Sequence, residues 1–395
     1  MSQLNQYKNN ASSDKIYYDI QISNVESTSV TPPNVVFNES RNIPFLMCPQ
    51  DYYMSIIRFT LDTATLPTFI PTIQTNPTIN PTSDPNQTIY TFQFSYNGYF
   101  GDQIYIPWSP QDISLPVLPF ITVNGVTAQN NSNGYYYCYT FEYFTSLVNL
   151  RIQSAFSDFI AAYNIAFPAD PLPTTTPPPV FAYDGSSAIF RIMFEESFLT
   201  TNATPIYFYM NAPMFNLYGS LNALALGYSV GGRNYRIIVE NYAGFNSYSY
   251  LDVITGQTYN VIETVQEWST TSAWSPVSGI VFTSCTLPIA PNLLSAPTVF
   301  LNGNVLGSYG NNSNYQLIVT DFVSDNSFYK PSIVYQPTSQ YRLIELTGNQ
   351  PLNNLDISIF WKNNFGELIP FQLTSGGVVT LKILFTKKNS INYKA

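Results

Sequence analysis

Short runs of alternating residues, bounded by Pro, Asn and Gly, recur along most of the chain and leave it little but β structure. In 16–22, Ile16, Tyr18, Ile20 and Ile22 share one face, and Tyr17, Asp19 and Gln21 share the other. A strand turns successive side chains to opposite faces, so a period of two marks a ribbon with one buried side. The run 52–62 sets Tyr53, Ser55, Ile57, Phe59 and Leu61 against Tyr52, Met54, Ile56, Arg58 and Thr60. It is apolar at most positions, which predicts cover on both faces. In 89–96, Tyr90, Phe92, Phe94 and Tyr96 oppose Thr91, Gln93 and Ser95. Near the end, Leu355, Ile357, Ile359 and Trp361 oppose Asp356, Ser358 and Phe360, which places Trp361 in the core. In 378–385, Val379, Leu381, Ile383 and Phe385 oppose Thr380 and Lys382, after a tight turn at Gly376-Gly377. Further strands fit 103–107, 118–123, 134–140, 188–196, 205–210, 235–240, 258–266, 279–284, 315–322 and 341–346.

One stretch changes period. Phe144, Leu147, Val148, Ile152, Phe156, Phe159, Ile160 and Tyr163 recur at helical spacing, which predicts a helix over 141–164. Four prolines in 71–87 forbid a central strand there, and the PLPTTTPPP run at 171–179 reads as a stiff polyproline spacer. Many short strands, one helix and frequent turns predict an all-β sandwich or barrel with a helical excursion.

Only 10% of residues are charged, against roughly 25% in ordinary soluble proteins. Asn, Thr, Ser, Tyr, Pro and Gln carry the polarity instead. Two causes fit. Neutral polar surfaces suit proteins packed against other copies, because burying a hydrogen-bonded neutral group costs less than burying a charge. An AT-rich genome would enrich Asn, Tyr, Ile and Phe as well. The net charge is −9, and no basic run could neutralise a row of phosphates, so direct nucleic-acid binding is not expected. Lys387, Lys388 and Lys394 read as a solvated tail. No signal-peptide core and no run of ~18 apolar residues is present, so neither secretion nor a membrane span is expected. Asn38 and Asn86 begin Asn-x-Ser/Thr triplets that, without secretion, read as products of composition. Cys48, Cys138 and Cys285 are odd in number and widely spaced, and read as buried free thiols in a reducing compartment.

The chain has no histidine, hence no His-based triad and none of the commonest metal ligand. No phosphate-binding glycine loop and no calcium loop occurs; Gly231-Gly232-Arg233 reads as a turn. A pair of carboxylates suffices for glycoside hydrolysis, which makes Glu195 with Glu196, Glu263 with Glu267, and Asp321 with Asp325 the pairs to follow. Adjacent strand residues point apart, so Glu195 and Glu196 do not converge, and the others read as exposed or turn carboxylates. No catalytic, cofactor-binding or metal-binding residue is therefore expected. Tyr135-Tyr136-Tyr137 and the group Tyr242, Phe245, Tyr248 and Tyr250 are candidate sugar-stacking platforms, against the plain reading that strands favour aromatics. Arg58, Arg191, Arg236 and Arg342 lie within apolar strand patterns and suit inter-sheet or inter-subunit ion pairs, while an exposed face explains each one as easily.

Three segments together carry a resemblance. DYYMSIIRFTLDTATLPTFIPTIQ (51–74), WSPVSGIVFTSCTLPI (274–289) and YRLIELTGNQPLNNLDISIFWKNNFGELIPFQLTSGGVVTLKILF (341–385) resemble signatures of the penton, or minor capsid, proteins of virophages and polinton-like viruses. The resemblance implies a viral jelly-roll β-sandwich with a large insertion containing one helix. It implies a non-enzymatic virion protein, assembled in host cytoplasm, that forms homo-pentamers at icosahedral fivefold vertices and contacts the major capsid protein. The expected layout is a flexible arm at 1–14, sandwich strands in 15–85 and 261–386, an outer insertion in 86–260, and a tail at 387–395. Two alternatives stay open: a double jelly-roll major capsid protein forming trimers, and a spike whose outer loops bind a host receptor or glycan.

Overall fold

The computed structural model describes residues 14–25, 32–74, 86–115, 121–123, 126–228, 231–251, 256–289, 299–301, 304–307, 317–323, 332–336 and 342–388. Residues 1–13 of the expected arm at 1–14, residues 75–85 of the Pro-rich loop, Asp325 and the tail beyond 388 lie outside them. The chain forms two compact units. The first comprises Met1–Leu66 and Pro276–Ala395, and the second Pro67–Ser275.

The first unit opens with β1 (Lys15–Ser23), β2 (Val36–Ser40) and β3 (Tyr52–Asp62). In the second unit come β4 (Gln87–Tyr96), helix α1 (Phe141–Ala166), β5 (Val180–Asp184), β6 (Ile189–Glu195), β7 (Tyr207–Met210), β8 (Tyr235–Ile237), β9 (Ser247–Leu251) and β10 (Thr258–Val265). The chain then returns to the first unit with β11 (Val277–Ser284), β12 (Leu317–Val323), β13 (Ser332–Tyr335), β14 (Asn354–Asn363) and β15 (Val378–Lys387).

In the first unit one sheet runs β1-β15-β3-β13, and in the other β14 lies between β2 and β11, with β12 beyond β11. Counted as the eight principal strands of this unit, the orders are 1-8-3-6 and 2-7-4-5. That alternation between two antiparallel sheets is a jelly roll. Its core lies between the sheets. The Phe59 ring stands 5.2 Å from Phe282 and 4.8 Å from Phe322 on the facing sheet. Trp361 is buried, as its strand pattern requires.

Strand β3 departs from simple alternation. Ile56 pairs with Ile383 and Arg58 with Lys382, leaving Ile57 as an extra residue. This β-bulge reverses the faces, so Met54 and Ile56 are buried before it and Phe59 and Leu61 after it. Arg58 is exposed, so the strand is not covered on both sides as its apolar sequence suggested.

The second unit is not a second jelly roll. One sheet runs from Ala223–Ala225 through β8, β7 and β4 to Tyr99–Phe100, and the other runs β9-β10-β6-β5. Both share one core with α1: Phe94 packs on Phe156 and Phe159, and Phe141 on Phe190. The Thr140 hydroxyl caps α1 by accepting from the Tyr143 amide. Asn149 and Asn164 on α1 each make a reciprocal amide pair with a backbone residue, Phe181 and Leu172 respectively. These pairs pin the Pro-rich stretch 171–179 across the helix. Residues 134–140 are not a strand. Asn133 accepts from the Tyr135 amide and starts a 3-10 turn at Gly134–Tyr136. The unit also starts earlier and ends later than the 86–260 expected for the insertion. Phe69 and Trp274, near its two limits, pack on each other at 4.8 Å inside its core.

Two positions of the jelly roll are exacting. Gly279 lies on β11 opposite Val323, and a Cβ there would sit 2.8 Å from the Phe322 carbonyl oxygen. Asp356 on β14 accepts hydrogen bonds from Ser284 Oγ at 2.6 Å, the Cys285 amide at 2.7 Å, the Thr286 amide at 2.9 Å and the Thr286 hydroxyl. Burial pushes this carboxyl up, and these hydrogen bonds outweigh burial and hold it below its ordinary value. Gly279→Ala is expected to destabilise the first unit by about 1–3 kcal/mol in urea titration, as an overpacked site does. Asp356→Ala should remove about 3 kcal/mol, because it leaves several donors unsatisfied. The wild-type advantage over Asp356→Ala should be complete above the ordinary aspartate pKa near ~4 and fade as pH falls through the lower folded value. A constant difference from pH 7 to pH 2 would refute the second expectation.

Candidate assembly surfaces

The carboxylates flagged in the sequence have distinct local surroundings, apart from Asp325, which lies outside the described residues. Glu195 accepts from the Ser197 amide at 2.8 Å and starts a short 3-10 turn, while Glu196 accepts from the Asn260 side chain at 2.8 Å. Glu263 lies on β10 bonded to Arg191 at 2.9 Å, and Glu267 lies beyond the end of that strand. Asp321 pairs with Arg342 at 3.2 Å. Among the described residues no three of His, Cys, Asp and Glu gather to hold a metal ion. Cys138 is buried, but Cys48 and Cys285 are exposed, contrary to the expectation that all three are interior. Burial pushes the Cys138 thiol up to about 12, so it stays protonated and inert.

Arg58 and Arg191 find partners within one sheet rather than between sheets, because directly opposed residues on neighbouring strands share a face, whereas Arg342 lies on no strand and reaches Asp321 on β12. Asp19, Lys382 and Arg58 form one row across β1, β15 and β3. Lys382 reaches Asp19 at 3.2 Å and Arg58 reaches it at 3.9 Å. These are exposed pairs that add little stability, and they mark a hydrophilic outer face. In the second unit Arg191 bridges Asp184 and Glu263, each at 2.9 Å. The Ser186 and Ser187 hydroxyls, with help from Arg191, hold the Asp184 carboxyl well below the usual range. Asp184 escaped the sequence reading, although Asp-Gly-Ser-Ser at 184–187 is a turn signal next to a strand arginine. Arg236 meets no carboxylate among the described residues and lies instead 4.5 Å over the Tyr207 ring.

The two aromatic groups divide. Tyr135, Tyr136 and Tyr137 are core residues, which removes them as a sugar platform. Tyr242, Phe245, Tyr248 and Tyr250 are exposed, Phe245 at 94%. Their loop is tightly held: Asn246 accepts from the Tyr242 amide at 2.8 Å and donates to the Glu240 and Glu263 carbonyls. Beside it a pocket of about 300 Å³ is lined by Glu196, Asn241, Tyr248 and Asn260, among others.

A jelly roll carrying a second compact unit between its third and fourth strands is an architecture found among viral coat proteins, and also among lectins and cupins. The comparisons narrow this class. The model of the family described as Sputnik minor capsid protein V18/19 matches residues 16–387. Structural protein V19 of Sputnik virophage is 28% identical over 217 residues, covering 54% of this chain and 96% of the relative. The uncharacterized protein V18 of the same virophage is 30% identical over 162 residues, covering 41% of this chain and 93% of the relative. Among solved structures, a chain of the Sputnik virophage determined by cryo-electron microscopy aligns with a TM-score of 0.78 at 26% identity, covering 96% of this chain and 99% of that one. The mavirus penton protein aligns with a TM-score of 0.59 at 17% identity, covering 94% and 99%. The chain belongs to the Sputnik minor capsid protein V18/19 family. It is a minor capsid protein and a structural component of the virion.

The thiol placement gives a direct check. Cys48 and Cys285 are expected to react with a maleimide in the folded protein, and Cys138 only after denaturation. Three thiols labelled at one rate in the native state would contradict this placement.

Proposed function

We propose that this chain is the penton of its virion: five copies ring each icosahedral fivefold vertex and contact the surrounding major capsid protein. The observation that carries the reading is the inserted unit between strands β3 and β11, within a fold shared along nearly its whole length with the mavirus penton. A ring of five needs a heterologous contact, in which one flank of the subunit meets a different flank of the next and the rotation closes. Outer faces rich in Tyr, Thr, Asn and isolated ion pairs suit such a contact, since neutral hydrogen-bonding groups lose less on desolvation than charges. The chain carries no chemistry of its own in this reading; its work is assembly. Purified full-length protein is expected to sediment as a pentamer and to appear as fivefold rings in negative stain. Uniform trimers, or a monomer at every concentration, would overturn the reading.

A glycan-binding role for the second unit has one observation in its favour: exposed Tyr248 on the rim of a polar pocket that offers Glu196, Asn241 and Asn260. Tyr248→Ala should abolish any signal the wild-type protein gives on a glycan array. A signal that survives the substitution would place the binding elsewhere.

A further inference from the structure

The acidity of this chain is confined to one part of it. Met1–Leu66 with Pro276–Ala395 holds eleven basic and eleven acidic residues, while Pro67–Ser275 holds no lysine, four arginines and thirteen acidic residues. The whole net charge of −9 therefore belongs to the second unit. Copies of that unit brought together in a ring repel one another unless a cationic face of one meets the acid of the next.

Two of the four arginines lie on one face and meet no carboxylate among the described residues. In the sheet containing β4, β7 and β8, Gln93, Tyr209, Arg236 and Leu224 form a row across four neighbouring strands. The opposite face of the sheet contributes Phe92, Phe94, Phe208, Met210 and Ile237 to the core. The Arg236 guanidinium lies 4.5 Å over Tyr207, and that of Arg233 lies 4.1 Å over Phe100. Neither meets a carboxylate among the described residues, although the unit is rich in them and Arg191 holds two. Arg236 Nε is buried without an acceptor and Gln93 Oε1 is buried without a donor.

The face is already rigid. The hydroxyls of Ser95 and Tyr209 lie 3.1 Å apart, and Gln103 donates to Thr91 Oγ1 at 2.9 Å while packing on Gly232, whose φ is +84°. Phe100, Leu224 and Leu226 are exposed around the arginines. Apolar side chains ringed about a forked cation exclude water when covered, and there a guanidinium bonds carboxylates in pairs.

We infer that this face, centred on Arg233 and Arg236, is the cationic half of a contact between neighbouring copies of the chain and takes carboxylates of the adjacent copy's second unit. The inference rests on the pentamer reading. A second copy is the occupant the charges favour, since each copy brings an unbalanced surplus of acid and this face supplies guanidinium groups that meet no carboxylate among the described residues of their own unit.

The test is sedimentation of the full-length chain across a concentration series, in ~50 mM and ~500 mM salt. Wild-type pentamers should weaken as salt rises. The double variant Arg233→Gln with Arg236→Gln should dissociate at concentrations at least about tenfold higher than wild type does, with unchanged melting. Arg342→Gln, at an arginine already paired with Asp321, should assemble normally. Leu224→Glu, at an exposed position on the same face, should also weaken assembly, and it keeps the test open if the double variant misfolds. Pentamers indifferent to salt and to both platform variants would overturn this contact and leave the penton reading standing. A wild-type chain that never self-associates would overturn both.

Discussion

The second unit closes its irregular backbone with side-chain amides standing in for peptide groups. Asn211 accepts from the Thr91 amide and donates to the Ile89 carbonyl. Gln129 does the same for Ile73 and Pro71, and Asn234 for Ala212 and Gly227. Gln266 accepts from Phe190 and donates to the Gly219 carbonyl, and Asn149 and Asn164 pair with Phe181 and Leu172. A carboxamide offers the donor and acceptor pattern of a peptide group without a charge to desolvate. It can therefore close a backbone edge in a half-buried place where a carboxylate would need a cation beside it. This gives the low charge and the abundance of Asn and Gln a third cause, beyond packing against copies or genome composition: the loops of a β-rich insertion are stitched with neutral side chains.

These stitches hold irregular chain around the core of the second unit, which is built differently from that of the first. The jelly-roll core is a sheet-on-sheet interface centred on Phe59, Phe282 and Phe322. The core of the second unit is crowded around α1 and Trp274, which stacks on Phe190 at 4.8 Å and donates from its indole N–H to the Leu217 carbonyl at 2.8 Å. The sandwich needs strict strand geometry, as Gly279 and Asp356 show. The insertion tolerates short strands and 3-10 turns because amides satisfy what its ladders do not.

Much of this was legible in the sequence. Strand β3 spans the residues its alternation marked, and α1 covers its helical stripe with two residues more. Both signals are local and depend on a single buried face. What stayed hidden is non-local. The order 1-8-3-6 and 2-7-4-5 joins residues hundreds of positions apart, and no period encodes it. The bulge at Ile57 lies inside a run so apolar that either register looks sound. Tyr135 to Tyr137 offered a platform in the sequence, yet Asn133 turns the chain there and buries all three rings. At the surfaces, arginines within strand patterns were visible, but their partners were not. Arg191 meets Asp184 and Glu263 through cross-strand register, while Arg236, of identical local appearance, lies over an aromatic ring.

The pairing of β1 with β15, from Lys15 opposite Thr386 to Ser23 opposite Val378, fixes an order of events during synthesis. A nascent chain leaves the ribosome from its beginning, so β1 to β3 emerge with no sheet to complete. All of Pro67–Ser275 follows as one uninterrupted stretch able to collapse on its own contacts. Only when residues 378–387 have been translated does the strand between β1 and β3 exist. The scaffold thus closes last, after the chain of the second unit has been synthesised, and a subunit cut short by a translational fault lacks the central ribbon of one sheet.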